Sequence, residues 1–506
     1  MKKTAGKVMA VMTAAAMAFA AMGCAGSSSG DGTTSAAAGT ETASGEIPVV
    51  NFSVMNIYDT TDLGDIENAI NEITTDRYGL QIDLTYVESG NWQQQSNMLL
   101  TGDEADIILI YGTPLITYVK NGQLLALDDY YANASEEFKA ATAEIFTEDD
   151  VKCTSVNGSI YALPNSRNHG DTVVLDIDED IAAEYGIEPG SSMTLDEVDE
   201  FLAQAHADYP DRYAIVPQGN TTMSNGGWTW DGLGDLDFIG VVSMLNDDTT
   251  VKNLFETEEF LEFTQHSRLW YENGYMMADC LSNTETGSTM IQNDRAISCF
   301  NNGAYYAEED FHKDGVVRVQ LTSPMANTTT ISGMCWAISA NSKNPDAAWT
   351  MLEALYSDAE VATLLANGIE GQNYILNEDG TASYPEGTDY SNSGYGGMTE
   401  QWLFPNSSLG YPRDIDGPNY YQNLASYNSS VQKSTAYGFC FDTTNVIDEY
   451  SACSNVMDKY FDALMMGAVD PDEYIPRAIE ELKAAGVDNV IAEKQAQFDA
   501  WLAEQE

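Results

Sequence analysis

Positive charge is what this chain has least of: 21 Lys and Arg stand against 79 Asp and Glu in 506 residues, a net charge of −58. So acidic a surface repels phosphate backbones and anionic lipid headgroups, which excludes an ordinary nucleic-acid-binding or polybasic membrane-binding role. The plain reading of the charge is a solubilising surface. Histidine is scarce as well, with four in the chain, and no Cys-x-x-Cys pair occurs, so a zinc site lacks its usual ligands. The H-E-x-x-H helix, the lysine-bearing phosphate loop and the Rossmann glycine triplet are missing, and no cofactor is expected. G-x-S-x-G occurs only at residues 26–30, in a Gly/Ser-rich stretch with no strand-to-helix pattern to make it an elbow. Paired carboxylates carry no signal where acids are this abundant. Beyond the N-terminus no apolar run reaches the length that crosses a bilayer. Asp176-Ile177-Asp178-Glu179-Asp180 begins like a calcium loop, but Ile181 occupies the obligatory Gly position and Ile187 the bidentate Glu position. It reads as a charged strand-to-helix turn.

What is present starts at the N-terminus. Lys2, Lys3 and Lys7 precede a short apolar run from Val8 to Ala21, and Ala21-Met22-Gly23-Cys24 follows. This is the layout of a secretory signal over residues 1–23. The cysteine after small residues resembles a bacterial lipobox, in which Cys24 is lipidated and becomes the first mature residue; Ala21 stands where Leu is usual. An ordinary signal with an incidental Cys24 is the alternative. Cleavage removes three Lys and leaves a net charge of −61. After Cys24, residues 25–45 are Gly, Ser, Ala and Thr with two acids, Asp31 and Glu41, a composition that cannot build a core. As a random coil such a tether spans roughly 25 Å. The expectation is a folded body held at the extracytoplasmic face of the cell membrane by its lipid. The other six cysteines, Cys153, Cys280, Cys299, Cys335, Cys440 and Cys453, form no disulfide framework by spacing, although export permits pairing.

The ordered part is too long for one compact core. Val49 to Asn56 reads as a strand, and Ile66, Ala69, Ile70 and Ile73 as a helix ending at Gly79. Ile82, Leu84 and Tyr86 mark a second strand, Trp92 to Leu100 a second helix, and Asp106 to Tyr111 a third, doubly buried strand. A β-α-β-α-β series implies a parallel sheet whose ligands lie off the carboxyl ends of its strands, here Asn56, Glu88 and Tyr111. Later helices start at Asn344-Pro345, with Ala348, Leu352, Leu355 and Ala359 inward, and at Asp470-Pro471, ending at Gly486. Ile491, Gln495, Phe498 and Leu502 run along a last helix. Between Gly368 and Tyr450 the composition favours long loops, which tend to be functional.

Aromatic residues carry the site reading. Trp270, Trp349 and Trp501 fall in helical patterns and Trp336 in a strand, so all four belong to the core. Trp228 and Trp230 lie instead in the polar segment NGGWTWDGLGD beside Asp231 and Asp235, and Trp402 in QWLFPNSSLGYP. Indoles flanked by Asp and Asn suit sugar rings, whose C–H faces stack on the aromatic while hydroxyls bond to carboxylate and amide groups. Loop packing is the alternative. Tyr305 and Tyr306, after Asn301-Asn302-Gly303, have the same character, and Glu370 between glycines is placed at the cleft or hinge, a plain turn being its alternative.

Together the lipobox, the tether, the opening β-α-β unit and the Asn-Pro-initiated helix resemble bacterial extracellular solute-binding proteins of ABC importers, carbohydrate type. ALPNSRNHG (residues 162–170) looks like the first crossing between lobes in that family, and Ala296 to Tyr306 like the strand and aromatic turn that face the ligand. LLANGIEGQNY, AYGFCFDT, SNVMDKY, VDPDEY and LKAAGVDNVIAEKQAQFDAWL are similar to a lipoprotein branch with a DUF3502-like C-terminal region. The resemblance implies a two-lobed α/β periplasmic-binding-protein-like fold with hinge strands, lobe one being 46–165 plus 334–385 and lobe two 166–333 plus 386–506. It implies binding without catalysis: an oligosaccharide, neutral by the charge argument, is closed between the lobes and passed to the membrane subunits of an ABC permease by a monomer. Tyr111, Asn165, Arg167, Trp228, Trp230, Asp231, Asp235, Tyr305, Tyr306, Glu370 and Trp402 are the candidate contacts. The branch often carries Lys-His where this chain has Gln372-Asn373, and Gly-Asn-Gln where it has Pro405-Asn406-Ser407, so substrate identity does not carry over. A secreted polysaccharide-degrading enzyme and a surface adhesin are the rival classes.

Overall fold

A computed structural model of the chain describes residues 47–58, 60–102, 104–219, 228–305, 308–313 and 315–505. Cys24 with its signal and tether, and Tyr306, lie outside them. Strands Gln81–Glu88, Val49–Asn56 and Ile107–Tyr111 run parallel in that order, and the last pairs with the antiparallel Met334–Ile338, which also pairs with Ala162–Pro164. The helix Leu63–Tyr78 covers this sheet with Ile66, Ile70 and Thr74, one turn apart, and closes on Gly79 at φ 66°. The left-handed turn there is what glycine supplies without Cβ strain. A second sheet has the order His312–Lys313, Val316–Gln320, Thr172–Asp178, Ala296–Gly303, Tyr213–Val216. Thr172–Asp178 runs directly into the helix Glu179–Tyr185, whose N-terminus Asp178 caps through the amides of Asp180 and Ile181, so the turn once comparable to a calcium loop is a helix cap.

Each sheet has its own hydrophobic core. The first gathers strands 50–110 and 334–338 with the helix Pro345–Ser357; the second gathers 173–319 with the C-terminal helices Ile447–Met465, Pro471–Ala485 and Val487–Gln505. The result is a two-lobed α/β fold. The chain crosses between the sheets at 165–171 and returns at 321–333, where Met325–Ala326 pairs with Gln432–Lys433. Residues 386–404 depart from the expected division. Tyr395, Leu403 and Phe404 pack into the first core, and the buried Trp336 donates its Nε1–H to the Leu403 carbonyl at 2.9 Å. That bond satisfies the one polar atom of an otherwise apolar side chain, and it ties the loop to the first lobe.

Two helical stripes also differ. Asp358 caps a new helix, Ala359–Asn367, through the amides of Glu360 and Val361, so Ala359 does not continue the stripe that begins at Asn344. In the last helix the buried positions are Val487, Val490, Lys494 and Phe498, offset from the expected set. A fully buried lysine is what periodicity of apolar residues cannot anticipate. Its partner, Asp235, is more than 250 positions earlier in the chain.

Candidate functional site

A cleft of about 940 Å³ opens where the two lobes meet at the crossings. That is the upper end of ordinary small-molecule pockets, roughly 300–1,000 Å³, and has room for more than one ring. From the first lobe come Tyr111, at the carboxyl end of its strand, and Trp402; from the crossings come Arg167, Asn168, Thr329 and Thr330; from the second lobe come Trp228, Trp230, Asn302 and the helix Ile447–Met465. Tyr111 thus sits where the parallel-sheet argument places a ligand. Trp402 and Trp228 are half-buried with surface on the cleft. The Trp228 ring is 5.0 Å from Phe263, centroid to centroid, which fixes the plane it presents.

Several expected contacts have other roles. Trp230 is 2 % exposed and packs against Phe238 and Phe260, so it reaches the cleft wall as part of an aromatic cluster and not as an open indole. Asp231 and Asp235 are buried and shape the loop: Asp231 Oδ1 accepts from the Leu233 amide at 2.7 Å, and Asp235 Oδ1 from the amides of Asp237 and Phe238 at 2.9 and 2.8 Å. Burial pushes both carboxyls up from the usual range, against the opposing pull of Lys494. Asn165 is 1 % exposed and donates its Nδ2–H to the Trp402 carbonyl at 2.8 Å. It positions the indole and does not line the cleft. Tyr305 stands apart, over Phe311 at 5.2 Å and under the Arg318 guanidinium at 5.5 Å, on a smaller pocket of about 340 Å³. Glu370 is exposed in a turn and lies away from the cleft; flanking glycines there serve the turn itself. Gln372-Asn373 and Pro405-Asn406-Ser407, where the chain departs from the branch, do not line the cleft either. Gln372 and Asn373 donate to Asp62, and the Pro405 carbonyl accepts from the Ser166 amide while Ser407 N–H donates to Ser166 Oγ. These bonds brace the first lobe and the crossing.

Six carboxylates line the cleft, Asp171, Asp237, Asp310, Asp416, Asp458 and Asp462, against the cations Arg167 and Lys313. Both cations are engaged. Arg167 donates to the carbonyls of Asn168 at 3.1 Å and Thr330, and Lys313 lies 3.4 Å from Asp416, which also holds Arg413. Burial raises the Asp171 carboxyl, opposed by Arg167 and by bonds from Asn302 and Asn168; burial, then Asp458, raises Asp462. The site therefore offers carboxylate acceptors, asparagine amides and aromatic faces. Sequence reading missed Asn168, Asp171 and Asn302, which neighbour residues it did select, and the helix face Met457, Asp458, Phe461, Asp462, Met465. The signal for that face is an apolar arc, Met457, Tyr460, Phe461, Leu464 and Met465, wider than a single core-facing stripe requires. Asp196, Asp199 and His266 sit close enough to ligate a cation, but Asp199 is occupied by His266 Nδ1 at 2.8 Å and the Trp270 indole N–H at 2.5 Å.

Residues 68–375 match the family model described as bacterial extracellular solute-binding protein, and residues 435–503 match a domain of unknown function, DUF3502. A curated relative, a carbohydrate ABC transporter substrate-binding protein of Streptococcus pneumoniae, is 26 % identical over 474 residues, which cover 91 % of this chain and 92 % of that protein. Among solved structures, an N-glycan transport solute binding protein (NgtS) of S. pneumoniae aligns at 23 % identity and TM-score 0.79, over 91 % of this chain and all of that one. The same protein in complex with Man5GlcNAc aligns at TM-score 0.68, over 91 % of this chain and 99 % of that one. An HMO binding ABC-transporter associated solute binding protein of Bifidobacterium longum infantis aligns at 17 % identity and TM-score 0.61, over 90 % of this chain and 99 % of that one. These structures support the two-lobed fold.

Proposed function

The chain belongs to the bacterial extracellular solute-binding proteins, and from that premise we propose that it captures a neutral oligosaccharide between its lobes and delivers it to the permease of an ABC importer. The observation that carries this reading is the cleft itself, with aromatic faces contributed by both lobes and with both of its cations already engaged. Tyr111, Trp228 and Trp402 provide stacking platforms; Asn168, Asn302 and the cleft carboxylates accept and donate to hydroxyls. A ligand that touches both lobes stabilises the closed arrangement over the open one by its differential affinity, which is the signal a permease needs. An anionic sugar instead needs a bidentate fork, and Arg167 already directs one N–H from each terminal nitrogen to a carbonyl. The role is binding without turnover, so the sugar is recovered intact. Cys24 serves as the lipid anchor of a monomer, and Cys24→Ser releases the protein from cells.

Calorimetry of the mature chain with Man1GlcNAc, Man5GlcNAc and other neutral glycans, beside size-matched uronic oligosaccharides, tests the reading. Binding to a neutral member with the glycan unchanged on chromatography is expected. Tight binding only to an acidic member, abolished in Arg167→Ala, overturns the neutral assignment. Binding to no glycan overturns the sugar reading altogether.

A further inference from the structure

The last helix places Lys494 at 0 % exposure in the second core, with its ammonium against the loop that carries part of the cleft wall. Nζ donates to the Gly232 carbonyl at 3.1 Å, to the Gly240 carbonyl at 2.9 Å and to the Asp235 carboxylate, and it lies 4.9 Å from the Phe441 ring centroid. An ammonium has three N–H donors, and all three are used on one segment of nine residues. The two carbonyls mark the ends of that segment and the carboxylate its middle. Between them the backbone is not relaxed: Leu233 at φ 59° and Phe238 at φ 54° are left-handed without being glycine. Such conformations cost free energy and persist only where their surroundings over-determine them. Leu236, Asp237 and Phe238, the residues this strained loop projects, all line the cleft. Phe238 in turn stacks on Phe461 of the helix Ile447–Met465 at 5.9 Å.

We propose that Lys494 is a positioning residue for the solute site, a three-point staple through which the C-terminal region of unknown function sets the shape of the 232–240 loop and thereby the ligand the cleft accepts. The proposal rests on the reading of the cleft as the sugar site. It gives residues 435–503 a function: one of their helices, Ile447–Met465, supplies part of the cleft wall, and another locks the loop facing it. A salt bridge kept only for stability is replaceable by neutral groups of similar shape. A staple is not, because neutral substitutes lose the carbonyl anchors at Gly232 and Gly240.

Two variants of the full mature chain, Lys494→Met and Lys494→Met/Asp235→Asn, separate these roles. Lys494→Met leaves a buried carboxylate unpaired and loses thermal stability; the double variant removes both charges and regains much of it. In the double variant, native-state hydrogen exchange of the ligand-free protein is expected to rise at least tenfold at the amides of Leu233, Asp237 and Phe238, with the strand Thr172–Asp178 unchanged. Its affinity for the tightest neutral glycan of the panel is expected to fall tenfold or more. Recovery of wild-type affinity along with stability, or unchanged exchange at those three amides, overturns the proposal. If the wild-type chain binds no glycan, the sugar reading fails by itself, and the exchange measurement still decides whether the staple exists.

Discussion

Asn165→Ala should weaken sugar binding although Asn165 touches no cleft surface. The Asn165 amide reaches the Trp402 carbonyl at 2.8 Å, and Asn165 is 1 % exposed, so water cannot simply replace it. Leaving a buried acceptor unpaired costs about 1–3 kcal/mol, and the loop carrying Trp402 relieves that cost by shifting. Trp402→Ala removes the stacking face itself, about 1–2 kcal/mol of binding, or roughly 5- to 30-fold in Kd. The two residues act on one contact, so their effects on affinity must be non-additive: in the double variant, Asn165→Ala adds little to the loss already caused by Trp402→Ala. Residues that share a partner couple by about 0.5–3 kcal/mol, well above the few tenths of a kcal/mol expected of independent sites. Calorimetry on the four members of the cycle, with melting curves to confirm that each is folded, measures the coupling. Additive affinity losses refute the positioning role, and an unchanged affinity in Asn165→Ala refutes the link between the amide and the indole.

Trp270→Ala behaves differently: the indole is fully buried, donates to Asp199 and packs on Phe300, so about 3–5 kcal/mol of stability is lost, measured by denaturant unfolding, without a selective loss of affinity. Burial pushes the Asp150 carboxyl up, but the hydrogen bond and charge of His169, the Tyr437 hydroxyl and the Thr147 amide outweigh it and hold it well below the usual carboxylate range. Its contribution is complete above the unfolded value of about 3.9 and is lost as the pH falls towards the folded value, so Asp150→Asn flattens the fall of Tm between pH 4 and 2, and an unchanged acid limb argues against the cluster. The cysteines Cys153, Cys280, Cys299, Cys335 and Cys453 are buried free thiols raised by that burial, while Cys440 is partly exposed. Iodoacetamide should label at most Cys440 in the native protein, and dithiothreitol should leave Tm unchanged; labelling of a buried thiol before unfolding contradicts the packing.

Local rules read well where one face of an element decides its fate. The strand Val49–Asn56 and the helix ended by Gly79 follow from alternation, 3.6-residue spacing and one left-handed glycine. Of the four tryptophans assigned to the core, Trp270, Trp336 and Trp349 are buried in it, whereas Trp501 is half-buried and packs against its edge. Polar, glycine-rich surroundings, by contrast, do not distinguish an exposed indole from one buried under its own loop. Trp230 and Trp228 share one such segment, yet only Trp228 keeps substantial surface on the cleft, because Phe238 turns back over Trp230. Asp235 and Asn165 show the same limit. Each sits in a segment correctly singled out, but its partner, Lys494 or Trp402, comes from a distant part of the chain, and only the fold reveals that the side chain is spent on architecture. The assignment of 386–404 to the second lobe failed for a related reason: the Leu403 carbonyl that binds the Trp336 indole is invisible to any pattern of side chains.

Net charge and local charge bear differently on the solute. A net charge of −58 spread over the surface is screened within about 8 Å at physiological salt, so the total says little about a ligand inside a cleft. What bears on the solute is local. Six cleft carboxylates face two cations, and each of those cations already has protein partners, among them the Thr330 carbonyl for Arg167 and Asp416 for Lys313. An anionic group entering there loses water, meets like charge in a region of low dielectric, and must displace an internal contact to gain a counter-charge. A hydroxyl also loses water, but it brings no charge and supplies the donors that a carboxylate acceptor lacks. On the proposed reading, the carboxylates that disfavour an acid also accept from a neutral ring set over Trp228, Trp402 and Tyr111, so that selectivity by charge and selectivity by hydrogen bonding come from one set of side chains.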